Sequence, residues 1–130
     1  MKSPSITGAD RVIEWFGGWP NLHDGRIDEF QLRSDGESRV VISAFEYGSE
    51  TDARGVFKTR NACRISFIFR NATALKLESE SGVGTVIFET EWTENDHEIT
   101  FAWQSSVGFD GSIRARNWKV EIEPLETAAE

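Results

Sequence analysis

Two His-Asp steps are the residues in this sequence best suited to bind a metal or to transfer a proton. His23 precedes Asp24, and Asp96 precedes His97. Imidazole and carboxylate groups bind transition metals, and a His base can activate water. The chain holds only 2 His, whereas hydrolases with paired His-Asp motifs use further ligands on helices. We expect Asp24 to bond backbone amides and His23 to pack against the helix or Trp19; the alternative is a hydrolytic or small-molecule site at these three residues.

The nucleophilic side chains lie in contexts that do not favour catalysis. Ser105 and Ser106 have no Gly-x-Ser-x-Gly turn around them. Cys63 begins an alternating apolar run that ends at Phe69, which predicts a buried thiol. The later glycines lie between predicted strands and open no helix, so they predict no phosphate loop. From these motifs we expect no catalytic residue, no cofactor and no metal.

Aromatic side chains could line a pocket or form a protein-binding surface, because Trp is enriched at binding hot spots. We expect most of them in the core, with Trp19 nearest the surface because it lies in a loop. Three acidic residues follow Trp19 and would form a mixed aromatic and acidic patch with it: Asp24, Asp28 and Glu29. The larger aromatic set is Trp15, Phe16, Trp19, Trp92, Trp103 and Trp118.

One short helix is predicted to precede the strands and to position this segment. Apolar Val12, Ile13 and Phe16 have helical spacing, and Thr7 is a candidate N-cap. Gly17-Gly18 and then Pro20 end the helix. The predicted helix spans residues 8–16.

Alternating apolar residues predict about seven strands after the helix. Their predicted ranges are 27–33, 39–47, 62–70, 74–79, 85–92, 98–105 and 112–123. Turn residues between them favour hairpins, so we expect a mainly β (α+β) domain: one helix packed on a largely antiparallel, strongly twisted sheet or half-barrel in meander order. The alternation breaks after Ile27 and near Arg116 and Asn117, which predicts bulges there. Residues 48–59 are predicted to form a long loop, a common place for partner contacts.

Length and charge limit the class of protein. The 130 residues are enough for one domain, with a core over residues 6–124 and frayed ends at 1–5 and 125–130. We expect a cytoplasmic protein, because neither a signal peptide nor a membrane-spanning run is recognisable. The formal net charge of -8 disfavours nucleic-acid binding. It either keeps the domain soluble or favours encounter with a basic partner.

The segment W-F-G-G-W-P-N-L-H-D-G-R-I-D-E-F-Q-L, with the later G-F-D-G-S-I-R-A-R-N-W-K-V-E-I, resembles the immunity protein 50 family of bacterial polymorphic toxin systems. In that family a helix ends in a Phe-Gly-x-Trp-Pro-like turn, and a His-Asp step leads into the first strand. Leu22 stands where an aromatic residue is usual, and Gly25 where Ala is common. The matching signature positions are Phe16, Gly17, Trp19, Pro20, His23, Asp24 and Gly25.

The resemblance implies an immunity protein that binds a cognate bacterial toxin and inhibits it without catalysis. A basic nuclease domain would suit the negative charge. We expect a monomer or a homodimer, with no nucleic-acid or membrane partner. The residues expected to contact the toxin are Asp28, Glu29, Glu50, Asp52, Arg54 and Phe57.

Overall fold

The structure, a computed structural model, describes residues 3–51, 53–55, 57–79, 86–105 and 108–125. It confirms a mainly β fold with one N-terminal helix, and the described residues form six antiparallel strands. The elements are α1 (Ala9–Phe16), β1 (Arg26–Gln31), β2 (Ser38–Thr51), β3 (Phe57–Ser79), β4 (Ile87–Asn95), β5 (Glu98–Ser105) and β6 (Phe109–Pro124).

A glycine flanks helix α1 at each end. Gly8 is the N-cap and makes no side-chain capping bond, so the prediction of Thr7 as N-cap was wrong. The Thr7 carbonyl instead accepts a 2.8 Å hydrogen bond from the Val120 amide, which ties the helix start to β6. Gly17, at φ 78°, ends the helix as predicted, and its amide donates to the Ile13 carbonyl at 2.7 Å.

The strand order is β1-β2-β3-β6-β5-β4, which differs from the single meander predicted. Two three-strand meanders lie side by side and meet where β3 pairs with β6. The chain therefore crosses from β3 to the far edge before β4 begins. This pairing places β6, the last strand, at the centre of the sheet.

The predicted turn at Asn71 and Ala72 is absent, and this explains why the described residues form six strands where about seven were predicted. Asn71 does adopt a left-handed φ of 56°, as turn residues often do. The chain nevertheless continues as β3, with a register shift between Ala72 and Ala74. The bulge predicted near Arg116 and Asn117 of β6 was therefore wrong, because the extra residue of the β3–β6 ladder is Thr73 on β3. Arg116 and Asn117 are both exposed, which gives the change of phase seen in the sequence without an extra residue on β6.

The predicted loop over residues 48–59 was also wrong, because most of it extends the β2–β3 hairpin. Tyr47 pairs with Thr59, and Thr51 pairs with Phe57. Asp52 lies outside the described residues. Only a short connection remains where a long binding loop was expected.

The two edge strands of the open sheet meet at one end. The Asp24 amide donates to the Ile87 carbonyl at 2.8 Å, and the Ile87 amide donates to the Gly25 carbonyl at 2.8 Å. Thr90 Oγ1 adds a 2.9 Å bond to the Asn21 carbonyl. The segment before β1 therefore connects the β1 edge of the sheet to β4 at the opposite edge. These bonds make the sheet curve around its core.

The core lies on the inner face of this curved sheet. The alternating run from Cys63 to Phe69 is buried, as predicted. Trp19 is only 8% exposed, so its prediction as a surface residue was wrong. Its ring packs edge-on against Trp92 with centroids 5.9 Å apart, and Trp92 also stacks on Phe101 at 4.5 Å. A loop residue is buried here because the loop folds over the open side of the sheet.

Alternation with Trp92 predicts that Val86 faces the core at the start of β4, and this prediction was wrong. Ile87 is fully buried, whereas Val86 is 39% exposed. A register shift between Ile87 and Glu89 reverses the alternation. Among the described residues, no helix is long and apolar enough to cross a membrane.

Candidate functional site

The His-Asp step at residues 23 and 24 lies in the corner between α1 and β1. Asp24 has a φ of 65°, and its backbone amide forms part of the sheet closure. The His23 amide donates to Asn21 Oδ1 at 2.9 Å, and His23 Nε2 lies 3.6 Å from Asp24 Oδ1. These contacts hold the shape of the corner, so His23 and Asp24 have a structural role.

The two His-Asp steps do not come together. Asp24 bonds the first residue of β4, whereas Asp96 and His97 form the turn after its last residue, Asn95. The length of β4 separates them by roughly 26 Å. Among the described residues, no group of three or more His, Cys, Asp or Glu could hold a metal ion. A binuclear or shared centre built from both steps is therefore excluded.

A cavity of about 430 Å³ adjoins the corner. His23 and Trp19 line it together with Glu46, while Asp24 does not. Glu46 Oε2 accepts a 3.0 Å hydrogen bond from Asn61 Nδ2. The predicted trio of Trp19, His23 and Asp24 thus fails to converge on one space.

The remaining signature residues have structural roles. Gly25 is buried, and a Cβ added there would lie 2.9 Å from the Leu22 carbonyl oxygen and 3.3 Å from Ile42 Cγ2. Phe16 packs against the core and Pro20 lines the corner cavity. Because neighbouring atoms lie so close, this position suits Gly25 and leaves little room for the Ala that is common in the immunity protein 50 family.

Asp28, predicted to contact a partner, is the extra residue of a bulge in β1, as the break in alternation predicted. Arg26 Nε donates to its Oδ1 at 2.7 Å, Ser43 Oγ donates to its Oδ2, and Arg64 Nε lies 4.0 Å away. Burial raises the pKa of Asp28, but these hydrogen bonds and positive charges outweigh it and lower the pKa below its usual 3.8. Asp28 therefore stabilises β1 and β2.

The other predicted contact residues are spread over two places. Glu29 is exposed on β1 opposite Val41, whereas Glu50 and Phe57 lie near the far end of the β2–β3 hairpin. The side chains of Glu50 and Phe57, and all of Asp52, lie outside the part of the chain that the structure describes. Arg54 is exposed at the hairpin tip. Roughly 30 Å of strand separates Glu29 from this tip, so the six residues do not form one site.

A different acidic surface is built by the second half of the sheet. On the outer face of β3, β6, β5 and β4 lies a depression of about 270 Å³. Four carboxylates and one ammonium line it, a surplus of three negative charges. These charged residues are Glu78, Glu89, Glu91, Asp110 and Lys76. We call this surface the acidic depression.

The sequence creates the depression by placing small residues between long ones. Ala102 on β5 pairs with Ser112 on β6, and together they form the floor. Glu91 pairs with Ala102 from one side, and Lys76 pairs with Ser112 from the other. Four strands spaced about 4.8 Å apart make the trough roughly 14 Å wide. An extended segment or one face of a helix fits this width.

Among the described residues, few cations lie near the carboxylates of the depression. Glu78 Oε1 lies 3.1 Å from Lys76 Nζ, with both side chains mostly exposed. Asp110 Oδ1 accepts a 3.0 Å hydrogen bond from the Ser105 amide, which fixes its position. By contrast, Glu37 has Lys119 and Arg70 beside it; the hydrogen bond from Lys119 and both positive charges lower its pKa, although desolvation opposes them. The acidic depression is thus a place of concentrated negative charge.

None of these five residues was predicted as a contact residue. One signal was present: Glu89 and Glu91 alternate with inward residues, so they share one face of a strand. Glu78 and Asp110 join them only through the β3–β6 pairing. That pairing is a long-range contact that the local pattern does not contain.

The fold and this surface define a mainly β domain with an acidic depression on its outer face. Compared with known proteins, the chain matches no protein-family model, no curated protein and no solved structure. Membership of the immunity protein 50 family therefore stays a prediction from the corner and the first strand.

Proposed function

We propose that this chain is an immunity protein that binds a basic surface of a cognate bacterial toxin and inhibits it stoichiometrically. The acidic depression is the observation that carries this proposal. It supplies concavity and a charge surplus on rigid, paired strands. Lys and Arg side chains of a nuclease that normally meet phosphates would meet carboxylates instead.

The resemblance of the corner and first strand to immunity protein 50 supports the same function. The net charge of -8 supports it as well, because complementary fields raise association rates. The proposed contact surface lies on β3, β4, β5 and β6, whereas the sequence alone predicts contacts on β1 and the β2–β3 hairpin. A cytoplasmic location belongs to this proposal, since an immunity protein meets its toxin inside the producing or neighbouring cell.

The test is binding and rescue with the toxin encoded beside the gene. The variant reverses two charges in the depression, Glu89→Lys with Glu91→Lys. The matched control reverses two exposed acids at the other end of the sheet, Glu121→Lys with Glu123→Lys. Both variants change the net charge equally. We expect the depression variant to bind at least about tenfold more weakly and the control to bind within about threefold of the native chain.

Each other outcome counts against the proposal. Absence of a complex and of rescue would remove the immunity function. Equal loss in both variants would mean that total charge, and not the depression, determines binding. Unchanged binding in the depression variant would place the interface elsewhere.

A second candidate function, binding of a small molecule, is favoured by the 430 Å³ cavity beside Trp19, His23 and Glu46. Drug-sized ligands occupy cavities of about this volume. A thermal-shift screen of metabolites with the native chain and His23→Ala tests it. A ligand that stabilises the native chain but not the variant supports this candidate, and stabilisation of neither argues against it.

A further inference from the structure

The C-terminal part of β3 has an open backbone edge in the described structure. Pairing of β3 with β2 begins at Phe69 opposite Ser38, so residues 70–78 have β6 on one side and no described strand on the other. All residues from 71 to 79 are exposed. An edge of this kind presents unpaired amides and carbonyls that can hydrogen-bond another strand.

The segment after the bulge, 74–79, contains no proline, and its two charges, Lys76 and Glu78, have opposite sign. Such charges discourage pairing with most strands but allow pairing with a strand of complementary charge. Leu75 is 45% exposed and Leu77 is 42% exposed. They are two of the four exposed large hydrophobic residues in the described part of the chain. These leucines share one face of the strand, so the side chains of a second strand would pack beside them.

A second copy of the same segment fits this edge in one antiparallel register. In an antiparallel pair, two directly opposite residues either both hydrogen-bond across the pair or both do not. Along one strand edge these two kinds of residue alternate. A two-fold axis between two identical edges must therefore pass through a residue position and not between two neighbouring residues. Centring on Lys76 or on Glu78 would place identical charges opposite each other. Centring on Leu75 would require pairing of Thr73, the bulged residue.

Centring on Leu77 avoids both problems. Lys76 of each copy then lies opposite Glu78 of the other, and Leu77 lies opposite Leu77. Within one chain Lys76 Nζ already lies 3.1 Å from Glu78 Oε1, and their side chains are 70% and 60% exposed, so both can reach a partner. Opposite charges on facing strands stabilise the pair, and like charges destabilise it.

We propose that this protein forms a two-fold symmetric homodimer by antiparallel pairing of residues Lys76–Glu78 of β3, with Leu77 on the axis. The partner is a second copy of this chain because the edge is complementary to itself in charge and places Leu77 opposite Leu77. Pairing joins two six-stranded sheets into one and brings the two acidic depressions next to each other, since Lys76 and Glu78 line both features. The dimer does not depend on the proposed toxin binding.

Charge exchange at the edge tests the proposal with a built-in control. Lys76→Glu alone places Glu opposite Glu twice, and Glu78→Lys alone places Lys opposite Lys twice. We expect each variant alone to dimerise about tenfold more weakly than the native chain in sedimentation experiments. Mixing the two variants places two glutamates of one copy opposite two lysines of the other, so the mixture should form a heterodimer of native affinity. Circular dichroism checks that each variant folds.

The double exchange, Lys76→Glu with Glu78→Lys, restores every pair and should dimerise like the native chain. Glu121→Lys matches the charge change of Glu78→Lys at an exposed residue outside the acidic depression and should leave the dimer intact. A native chain that stays monomeric up to its solubility limit would overturn the proposal. So would single variants that dimerise normally, or a mixture and a double exchange that fail to restore dimerisation.

Discussion

At the scale of single residues, Asp28 shows how a charged side chain can be required by the fold and not by a partner. Its carboxylate lies in the β1 bulge and accepts hydrogen bonds from Arg26 and Ser43. Its side chain keeps 21% of its exposure, so solvent screens part of the interaction. The carboxylate thus links Arg26 of β1 to Ser43 of β2 and lies near Arg64 of β3.

We predict that Asp28→Asn lowers the free energy of unfolding by about 1 kcal/mol at neutral pH. The pKa of Asp28 is lowered in the folded state, so its contribution is present above the unfolded value of 3.8 and is lost as pH falls through the folded pKa. The difference between variant and native chain should therefore shrink on acidification below about pH 4. Urea unfolding across this pH range measures it, with exposed Glu29→Gln as control. A difference that stays constant at low pH would contradict the electrostatic origin.

Cys63 illustrates a nucleophile made inert by its position. Its side chain is fully buried on the inner face of β3. Burial raises the pKa of the thiol to about 11; a hydrogen bond with Trp15 opposes this, and the charge of Glu46 adds to it. The neutral thiol stabilises the fold fully below about pH 9, and this contribution is lost as pH rises toward 11.

We predict that the Cys63 thiol reacts with a disulfide reagent at pH 8 only as fast as the chain unfolds. The same reagent should label the urea-denatured chain at once. Absorbance of the released thiolate follows both reactions. Rapid labelling of the native chain would mean that the run from Cys63 to Phe69 does not face the core as described.

At the scale of elements, Gly111 allows β6 to pass beneath an aromatic ring. It pairs with Trp103, and a Cβ at Gly111 would lie 2.4 Å from Trp103 Cζ2 and 2.9 Å from the Lys76 carbonyl oxygen. Trp103 is only 2% exposed, so its ring has little room to move. We predict that Gly111→Ala costs about 2 kcal/mol of stability by overpacking.

Gly36→Ala is the matched control for that substitution. A Cβ at Gly36 would have Arg33 Nε at 3.9 Å as its nearest neighbour, which is ordinary contact. This variant should keep native stability within about 0.5 kcal/mol. Thermal unfolding of both variants distinguishes them; equal melting temperatures would show that the Trp103 ring yields easily.

The elements also show where local pattern stops predicting structure. The run from Cys63 to Phe69, the bulge after Ile27 and the turn at Asp96 depend on neighbours in sequence, and the structure contains all three. The turn predicted at Asn71 does not form: this left-handed residue lies within β3, and Arg70 and Ala72 on either side of it pair with β6. Only the facing strand determines whether the chain turns or continues here.

The candidate site was less predictable than the fold for the same reason. Its carboxylates come from β3, β4 and β6, and Glu78 of β3 lies opposite Asp110 of β6 only because these two strands pair out of sequence order. Alternation identifies Glu89 and Glu91 as outward-facing but not their neighbours across the sheet. Burial of Trp19 has the same origin, since the ring contacts Phe67 and Trp92 from distant strands.

At the scale of the whole molecule, the negative charge has two separable effects on the proposed toxin complex. The total charge of -8 attracts a basic partner from a distance, whereas the acidic depression holds it in contact. Salt screens the first effect strongly, because the Debye length falls from about 30 Å at 0.01 M to about 10 Å at 0.1 M. Buried contacts in the complex are screened less.

We predict that the two effects separate in the rates of binding. Reversing Glu121 and Glu123 should slow association at low salt but leave dissociation unchanged, because these residues lie away from the depression. Reversing Glu89 and Glu91 should slow association similarly and also speed dissociation by about tenfold. Stopped-flow mixing with the toxin at several salt concentrations measures both rates. If both variants changed only association, the acidic depression would act by long-range attraction alone and would not be the contact surface.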